Sequence, residues 1–256
     1  MHARRSVPIL ALVLHLLLLG APPAWGENTT PATSAHLTVG QPPVRVPIDG
    51  TTTERWYDVQ LRIGRSYCVS VTTADNETNP GDPAVTVFQS DGATQIASND
   101  NIVTEPAALL QARACFIHPS GATTEAKIRV THNDGAVSRT YFLRAVETTL
   151  FCPWFFIGED YQAFSLLRNT TDASVSVTVT WRNLAGTVLA TTTTTASANG
   201  TLALNARDFF GPEVSPSGSV EVAHNGSEEA IQGSTTTLSG TTGLAFDALF
   251  TQRRPW

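Results

Sequence analysis

The sequence is poor in charge, and the charge that it has is mostly acidic. Charged residues make up 15% of the chain, where roughly 25% is usual for globular proteins, and Lys127 is the only lysine. The formal net charge is −6 at pH 7. Nucleic acids are bound by basic surfaces, so this balance argues against a nucleic-acid partner.

Long apolar runs are also lacking, except for one at the N-terminus. Residues 8–20 form a mostly apolar run of 13 residues, which follows Arg4 and Arg5 and precedes a small residue, Gly26. A spanning helix needs roughly 18 residues or more, which disfavours the alternative of a membrane anchor. The order of positive, apolar and small residues predicts a signal peptide over residues 1–26. We therefore expect a secreted or periplasmic mature chain without an integral membrane segment.

Helical periodicity is missing from the rest of the chain, and two-residue alternation takes its place. Tyr57, Val59 and Leu61 alternate with more polar residues, and residues 175–181 place valines and a tryptophan opposite serines and threonines. Clusters of Asn, Asp, Pro and Gly separate such runs. This pattern is typical of half-buried antiparallel strands joined by turns. The sequence therefore predicts an all-β fold of two antiparallel β-sandwich domains.

A dense aromatic segment marks the predicted boundary between these domains. Residues 149–160 (TLFCPWFFIGED) interrupt the alternation, and we interpret them as a junction whose aromatic side chains pack into the second domain. The alternative is an exposed binding patch. The predicted organisation is a flexible polar lead over residues 27–35, a first sandwich over 36–148 and a second over 149–256.

Three cysteines remain after the predicted signal peptide, and their positions test this fold. Cys68 and Cys115 lie on predicted strands, each on the face opposite the main apolar stripe. If the strands are neighbours, the two Cβ atoms come within reach of a disulfide, which an exported protein can form. We predict a Cys68–Cys115 disulfide, with three free thiols as the alternative. Cys152 is then unpaired and buried among the junction aromatics.

Short motifs in the first predicted domain occur in an order known from one family. They are residues 54–59 (ERWYDV), 64–71 (GRSYCVSV), 82–88 (DPAVTVF), 91–92 (DG), 99–101 (NDN) and 140–143 (TYFL). Over residues 37–147 the chain resembles the bacterial pre-peptidase C-terminal (PPC) domain family. The resemblance implies a jelly-roll-like sandwich that accompanies secreted hydrolases as an accessory or substrate-binding module. The cysteine pair departs from the family pattern. The second domain resembles Ig-like sandwiches in general.

Acidic side chains are concentrated in the predicted turns of the first domain. Asp75, Asp82, Asp91 and Asp100 lie there, and calcium is bound by several oxygen ligands at close range. Some members of the resembled family bind calcium in loops, so these four are candidate ligands. The alternative is that turns simply favour Asp. No regular Asp-x-Asp-x-Asp-Gly loop is present, so we expect no cofactor, with calcium as the exception.

One aromatic residue is a candidate ligand contact. Trp56 occupies the phase of its strand opposite Tyr57, Val59 and Leu61, which predicts that it points away from the core. An exposed tryptophan suits contact with a sugar ring or a protein partner. The alternative is that a neighbouring strand covers it.

The catalytic motifs that a sequence can reveal are missing. There is no Gly-x-Ser-x-Gly elbow, and the adjacent carboxylates Glu228 and Glu229 would point to opposite faces of a strand. We therefore expect a non-catalytic, exported binding or surface-interaction protein, not an enzyme, with an extracellular glycan or protein as its partner. The alternatives are an accessory subunit of a secreted hydrolase and a hydrolase with a dispersed site.

Overall fold

The computed structural model describes residues 28–73, 81–101, 111–133, 138–210 and 216–252. In these ranges the chain is almost entirely β-strand, with short 3-10 turns at Pro31–Thr33 and Ala206–Phe209. No helix there has the length and apolarity to cross a membrane. The strands are β1 (Ala35–Leu37), β2 (Val44–Ile48), β3 (Glu54–Gln60), β4 (Ser66–Thr73), β5 (Pro83–Gln89), β6 (Gln95–Asn99), β7 (Ala112–Ile117), β8 (Glu125–His132), β9 (Arg139–Glu147), β10 (Leu150–Phe156), β11 (Tyr161–Asn169), β12 (Val175–Asn183), β13 (Val188–Ala196), β14 (Thr201–Asn205), β15 (Ser217–His224), β16 (Ile231–Ser239), β17 (Ala245–Leu249) and β18 (Thr251–Gln252).

The strands form four sheets in two stacked pairs. Sheet A has the order β1-β3-β8-β5-β6 and sheet B the order β2-β9-β4-β7, and together they make the first sandwich. Sheet C has the order β13-β12-β15-β10-β18 and sheet D the order β14-β11-β16-β17, and they make the second sandwich. The all-β prediction is confirmed. Purely antiparallel pairing is wrong at one place, because β1 runs parallel to β3.

Alternation along the strands builds a separate core in each sandwich. In β8 every second residue is buried, including Ile128 and Val130, and in β12 the buried residues are Val175, Val177, Val179 and Trp181. The core of the first sandwich draws on residues 37–145 and that of the second on residues 150–231, with no side chain in common. Each pair of sheets therefore excludes water with its own side chains.

The segment predicted as a junction is a strand. β10 pairs with β15 on both sides of a register shift between Cys152 and Phe155, and Pro153 lies within that shift. A bulge is one of the few places where a strand tolerates proline, which has no N–H to donate. Phe155 and Cys152 are buried in the second core, as predicted, and Cys152 is a free thiol.

The residues predicted as a flexible lead pack on sheet A. The Trp56 N–H donates to the Asn28 carbonyl oxygen over 2.7 Å, and the Asn28 amide donates to the Trp56 carbonyl oxygen over 3.2 Å. The Pro31–Thr33 turn and β1 follow. The prediction of a flexible lead is wrong for residues 28–35. The predicted signal peptide, residues 1–26, lies outside the described residues.

The predicted disulfide is confirmed. β4 and β7 are neighbours in sheet B, Cys68 lies directly opposite Cys115 in the register, and the two sulfurs are bonded. The Cys68 sulfur also lies 3.5 Å from the Gly226 carbonyl oxygen, so the second sandwich covers this face of sheet B.

Thr148 and Thr149 connect the two sandwiches, and both are buried. The Thr148 N–H donates to the Ser66 carbonyl oxygen, and the Thr149 hydroxyl accepts the Ser66 N–H. Beside them Arg65 donates to Glu147 over 2.6 Å and to Glu221, in the second sandwich, over 3.2 Å. Both connecting residues and a shared arginine therefore link the two halves.

Loss of the disulfide should lower the stability of the first sandwich substantially. The bond joins positions 47 residues apart, and closing a loop of that length stabilises a fold by about 4 kcal/mol in the chain-entropy model. We expect Cys68→Ser/Cys115→Ser to lower the free energy of unfolding by about that amount in urea denaturation. Cys152→Ser removes the buried free thiol and serves as the comparison. Equal unfolding midpoints for wild type and the double variant would contradict the prediction.

Acid should destabilise the second sandwich through His224. Burial lowers the pKa of His224 from its ordinary 6.5 to about 4, and the backbone groups of Thr148 and Gly226 offset only part of this. Between those pH values the unfolded state binds the extra proton, so stability falls as the pH drops from 6.5 towards 4. The contribution is about 3 kcal/mol. Urea denaturation across this range should show a smaller fall for His224→Gln, and parallel curves would contradict the assignment.

Candidate functional site

Large apolar side chains that remain exposed are unevenly distributed between the two sandwiches. Of eleven in the described residues, ten belong to the second sandwich, and Ile63 alone belongs to the first. Singly scattered exposed apolar residues are normal, whereas exposed apolar side chains that lie together can form a contact surface, so the second sandwich is the place to look for one. The ten are Trp154, Leu166, Leu184, Val188, Leu189, Phe209, Leu238, Leu244, Phe246 and Leu249.

Four rings form what we call the aromatic corner: Trp154, Phe156, Tyr161 and Phe246. Trp154 and Phe156 lie nearly parallel, with ring centroids 6.5 Å apart, and Phe246 stands edge-on to Trp154 at 6.3 Å. Tyr161 lies 5.6 Å from Phe156. Trp154 is 39% exposed and Phe246 is 50% exposed. The rings therefore support each other while two of them keep a wide solvent-facing surface.

Local backbone features hold the aromatic corner in place. The bulge at Pro153 redirects Trp154 outward, as bulges commonly do. A Cβ atom at Gly158 would lie 2.9 Å from the Phe156 ring, so a larger residue there would displace that ring. Asp160 accepts hydrogen bonds from the Ser239 hydroxyl and from the Thr241 hydroxyl and N–H, which also lower the pKa of its carboxyl. Asp160 thereby ties the turn before Tyr161 to the turn before Phe246.

A second feature, which we call the leucine groove, runs along the outer face of sheet D. Leu166 and Leu249 lie on either side of Ser234 across three paired strands, and the groove beside them has a volume of about 930 Å³. It opens where the chain leaves sheet D. The Phe250 N–H still donates to Gly233, but Thr251 already pairs with Phe151 in sheet C. The strand crossing therefore creates the groove.

The leucine groove has a mixed lining, with the polar Ser234 between its two leucines and charged side chains at its rim. Arg168 lines it together with Glu228 and Glu229, and a Glu228 carboxylate oxygen lies 3.9 Å from an Arg144 nitrogen in the first sandwich. No histidine or cysteine is among its lining residues in the described part of the chain. Apolar side chains among polar ones, with charges of both signs at the rim, suit recognition of a polypeptide.

A smaller cleft of about 430 Å³ separates the two sandwiches. Its charged groups pair with each other, because Glu221 accepts from both Arg65 and Arg182. The buried His118 ring lies beside it, with Nε2 2.7 Å from the Thr123 carbonyl oxygen. These side chains already have partners within the chain, so the cleft is a weaker candidate for a binding site than the leucine groove.

Of the four predicted calcium ligands, the three that lie in the described residues do not form a cluster with other acidic, histidine or cysteine side chains. Asp91 accepts from the N–H groups of Ala93 and Thr94 and from the Thr94 hydroxyl, which lower the pKa of its carboxyl. Asp82 accepts from Asn133, and Asp100 is exposed at the end of β6. Asp75 lies outside the described residues. Within them, no three His, Cys, Asp or Glu side chains converge on a common point.

The prediction that Trp56 contacts a ligand assumed that its side chain is exposed, and this is wrong. Trp56 is only 4% exposed, with Phe88 at 5.3 Å and the Arg129 guanidinium 5.7 Å from its ring centroid. Its indole N–H donates to Glu54 over 3.0 Å. The side chain does lie on the outer face of sheet A, but long neighbours and the residues after Asn28 cover it.

Comparisons with known proteins give partial similarities. No protein-family model and no curated protein matches the sequence. Among solved structures, the pre-peptidase C-terminal domain of a Bacillus anthracis collagenase is 12% identical, with a TM-score of 0.32, and the match covers 44% of this chain and 93% of that domain.

A second match is a Bacteroides uniformis β-glucuronidase, 15% identical with a TM-score of 0.22, covering 78% of this chain. A third is a family 2 glycosyl hydrolase of Bacteroides cellulosilyticus, 12% identical with a TM-score of 0.20. The chain spans 26% of the glucuronidase and 28% of the glycosyl hydrolase. The collagenase domain belongs to the family that residues 37–147 resemble, but scores this low do not establish a family for the chain.

Proposed function

We propose that this chain is an exported, non-catalytic binding protein that contacts a partner protein through its second sandwich. The contact surface comprises the aromatic corner and the leucine groove. The observation that carries the proposal is that four large apolar side chains remain exposed within these two features: Trp154, Phe246, Leu166 and Leu249. Fold alone does not specify this function, because the described residues of the first sandwich also form two stacked sheets but expose one large apolar side chain, Ile63.

The chemistry of the surface favours a protein partner. Trp, Tyr and Phe are enriched at the centres of protein interfaces, and polar residues surround them. Here the exposed rings of Trp154 and Phe246 and the side chains of Leu166 and Leu249 supply apolar area. Arg168 and Glu228 supply charge at the groove rim. A separately encoded secreted hydrolase is one partner of this kind, and it corresponds to the alternative of an accessory subunit that the sequence suggests.

The disulfide supports the part of the proposal that concerns export. Cys68 and Cys115 are bonded in the structure, and such bonds persist in oxidising compartments. At the cleft between the sandwiches Glu221 is paired with Arg182, and at the rim of the leucine groove Glu228 lies near Arg144. The arrangement supports binding more directly than it supports bond cleavage.

Removing two leucines from the groove should weaken partner capture. We expect Leu166→Ser/Leu249→Ser to reduce capture by about tenfold, because the loss of two apolar contacts at an interface centre together costs about 1.4 kcal/mol. The immobilised chain would be exposed to the extracellular fraction of the producing organism, and bound proteins would be quantified by mass spectrometry. The second sandwich should stay folded, because both leucines are solvent-exposed.

Ile63→Ser provides the matched control, since Ile63 is an aliphatic residue of the first sandwich whose exposure, 46%, lies between the 38% of Leu166 and the 69% of Leu249. It should capture the same proteins as wild type. Proteins captured equally by wild type and by the groove variant would contradict the proposed surface. A glycan array run in parallel separates the other partner class: glycan binding that is lost on Trp154→Ala, without protein capture, would overturn the protein-partner proposal.

A further inference from the structure

The outer face of sheet B carries positive charge from three of its strands. Arg45 of β2 lies directly opposite Phe142 of β9 in the register. Arg144 of β9 and Arg113 of β7 both lie opposite Ser70 of β4, the strand between them. Directly opposed residues of antiparallel strands share a face, and so do residues two apart on one strand, such as Phe142 and Arg144. The three arginines therefore project from the same face, in two neighbouring rows.

These arginines and the three side chains between them form what we call the arginine face: Arg45, Ser70, Thr72, Arg113, Phe142 and Arg144. Arg45 and Arg144 are exposed, and the other four are half-buried. One row further along the same strands lies the Cys68–Cys115 bond, which the second sandwich covers at Gly226. The arginine face is therefore a part of the outer face of sheet B that the second sandwich leaves open.

The positive charge of the arginine face is largely unpaired. The outward-facing residues of β2, β4, β7 and β9 include no acidic side chain. Within the described ranges, Arg45 and Arg113 have no ion-pair partner, and Arg144 reaches only Glu228, at 3.9 Å. The Arg113 Nε is also buried without a hydrogen-bond partner, which favours a ligand that brings an acceptor oxygen. Three guanidinium groups thus face a single carboxylate.

The outer face of sheet A has a different charge arrangement. There Lys127 lies 2.8 Å from Glu125, and Arg129 lies 4.0 Å from Glu54, so charges of both signs are neighbours. The arginine face lacks such neighbours, although the chain as a whole has a formal net charge of −6. A local surplus of positive charge on an acidic chain directs anionic ligands to that place.

The side chains of the arginine face also indicate which anions fit. A guanidinium fork binds the oxygens of a carboxylate, sulfate or phosphate through two parallel hydrogen bonds. Arg113 and Arg144 are two strand spacings apart, roughly 10 Å, so a polymer that repeats its anionic groups can contact both. The Ser70 and Thr72 hydroxyls can donate and accept hydrogen bonds, as sugar hydroxyls require. The half-buried ring of Phe142 adds apolar surface for the carbon side of a sugar ring.

We propose that the arginine face binds an acidic polysaccharide through its carboxylate or sulfate groups. The face shares no residue with the aromatic corner or the leucine groove, so this ligand is additional to the protein partner and does not depend on it. Nucleic acid is disfavoured, because its binding typically neutralises about 6–10 phosphates and this face offers three arginines.

Isothermal titration calorimetry of the full chain at low ionic strength tests the proposal. Polygalacturonate presents carboxylates, dextran sulfate presents sulfates, and dextran is the uncharged comparison. We expect at least one acidic polymer to bind, with an affinity that falls as salt is added, and dextran not to bind. Binding of only one acidic polymer identifies the anionic group that is recognised. Arg45→Gln/Arg113→Gln should lower the affinity by about tenfold or more, because both lost groups form charge-assisted hydrogen bonds.

Arg45→Gln alone keeps the test decisive if the double variant fails to fold, because Arg45 is exposed. Its matched control is Arg62→Gln, which removes an equal charge from another exposed arginine, in the turn between β3 and β4, and should bind as wild type does. Two results would overturn the proposal: binding of neither acidic polymer, or binding that Arg45→Gln and the double variant leave unchanged. Single-stranded DNA that binds more tightly than both polysaccharides would contradict the assignment of the ligand.

Discussion

The alternation of inward and outward side chains is the constraint from which both the cores and the surfaces of this chain follow. Along β8 and β12 every second side chain enters a core, and its identity is fixed by the need to fill that core. The outward side chains are free of that need. In the first sandwich they are polar, as in Glu125 and Lys127 of β8, or covered, as in Trp56. In the second sandwich many of them are apolar and uncovered.

The connection between the sandwiches explains why the leucine groove has charges from both halves near it. Arg65 bonds to Glu147 and Glu221 while largely buried, and the Thr148–Thr149 connection is hydrogen-bonded to Ser66. A buried ion pair is weak evidence for stability, because desolvation offsets much of the attraction, but its geometry is specific. The same connection brings Arg144 of the first sandwich near Glu228 at the groove rim. The first sandwich therefore helps to shape the surface of the second.

Strands with clean alternation could be predicted from the sequence, and strands with proline could not. Residues 175–181 indicate β12 directly, whereas Pro153 in β10 and Pro47 in β2 hide strands behind a residue that usually interrupts them. The Cys68–Cys115 bond was predictable because both residues sit on the same phase of strands that are neighbours. The cover over Trp56 was not, because it comes from Phe88 and Arg129, far away in sequence.

The leucine groove was hidden for a different reason. In β11 both phases contain apolar residues: Ala163 and Leu167 point inward with Ser165, while Leu166 points outward. Periodicity alone cannot decide which phase of such a strand faces the core. The aromatic segment 151–156 did carry a signal, since an exposed patch was the alternative interpretation of its rings. Its buried residue Phe155 directly follows its exposed residue Trp154, because Trp154 lies within the bulge and Phe155 resumes the strand pairing.

Hydroxyl-radical footprinting of the free chain would show whether the second sandwich carries an exposed aromatic surface, because it reports the solvent exposure of individual aromatic side chains. Our account predicts rapid oxidation of Trp154 and Phe246, slow oxidation of Trp56 and Trp181, and protection of Trp154 when a captured partner is bound. If Trp154 is as protected as Trp181 in the free chain, or stays fully reactive in the complex, the second sandwich does not carry the contact surface.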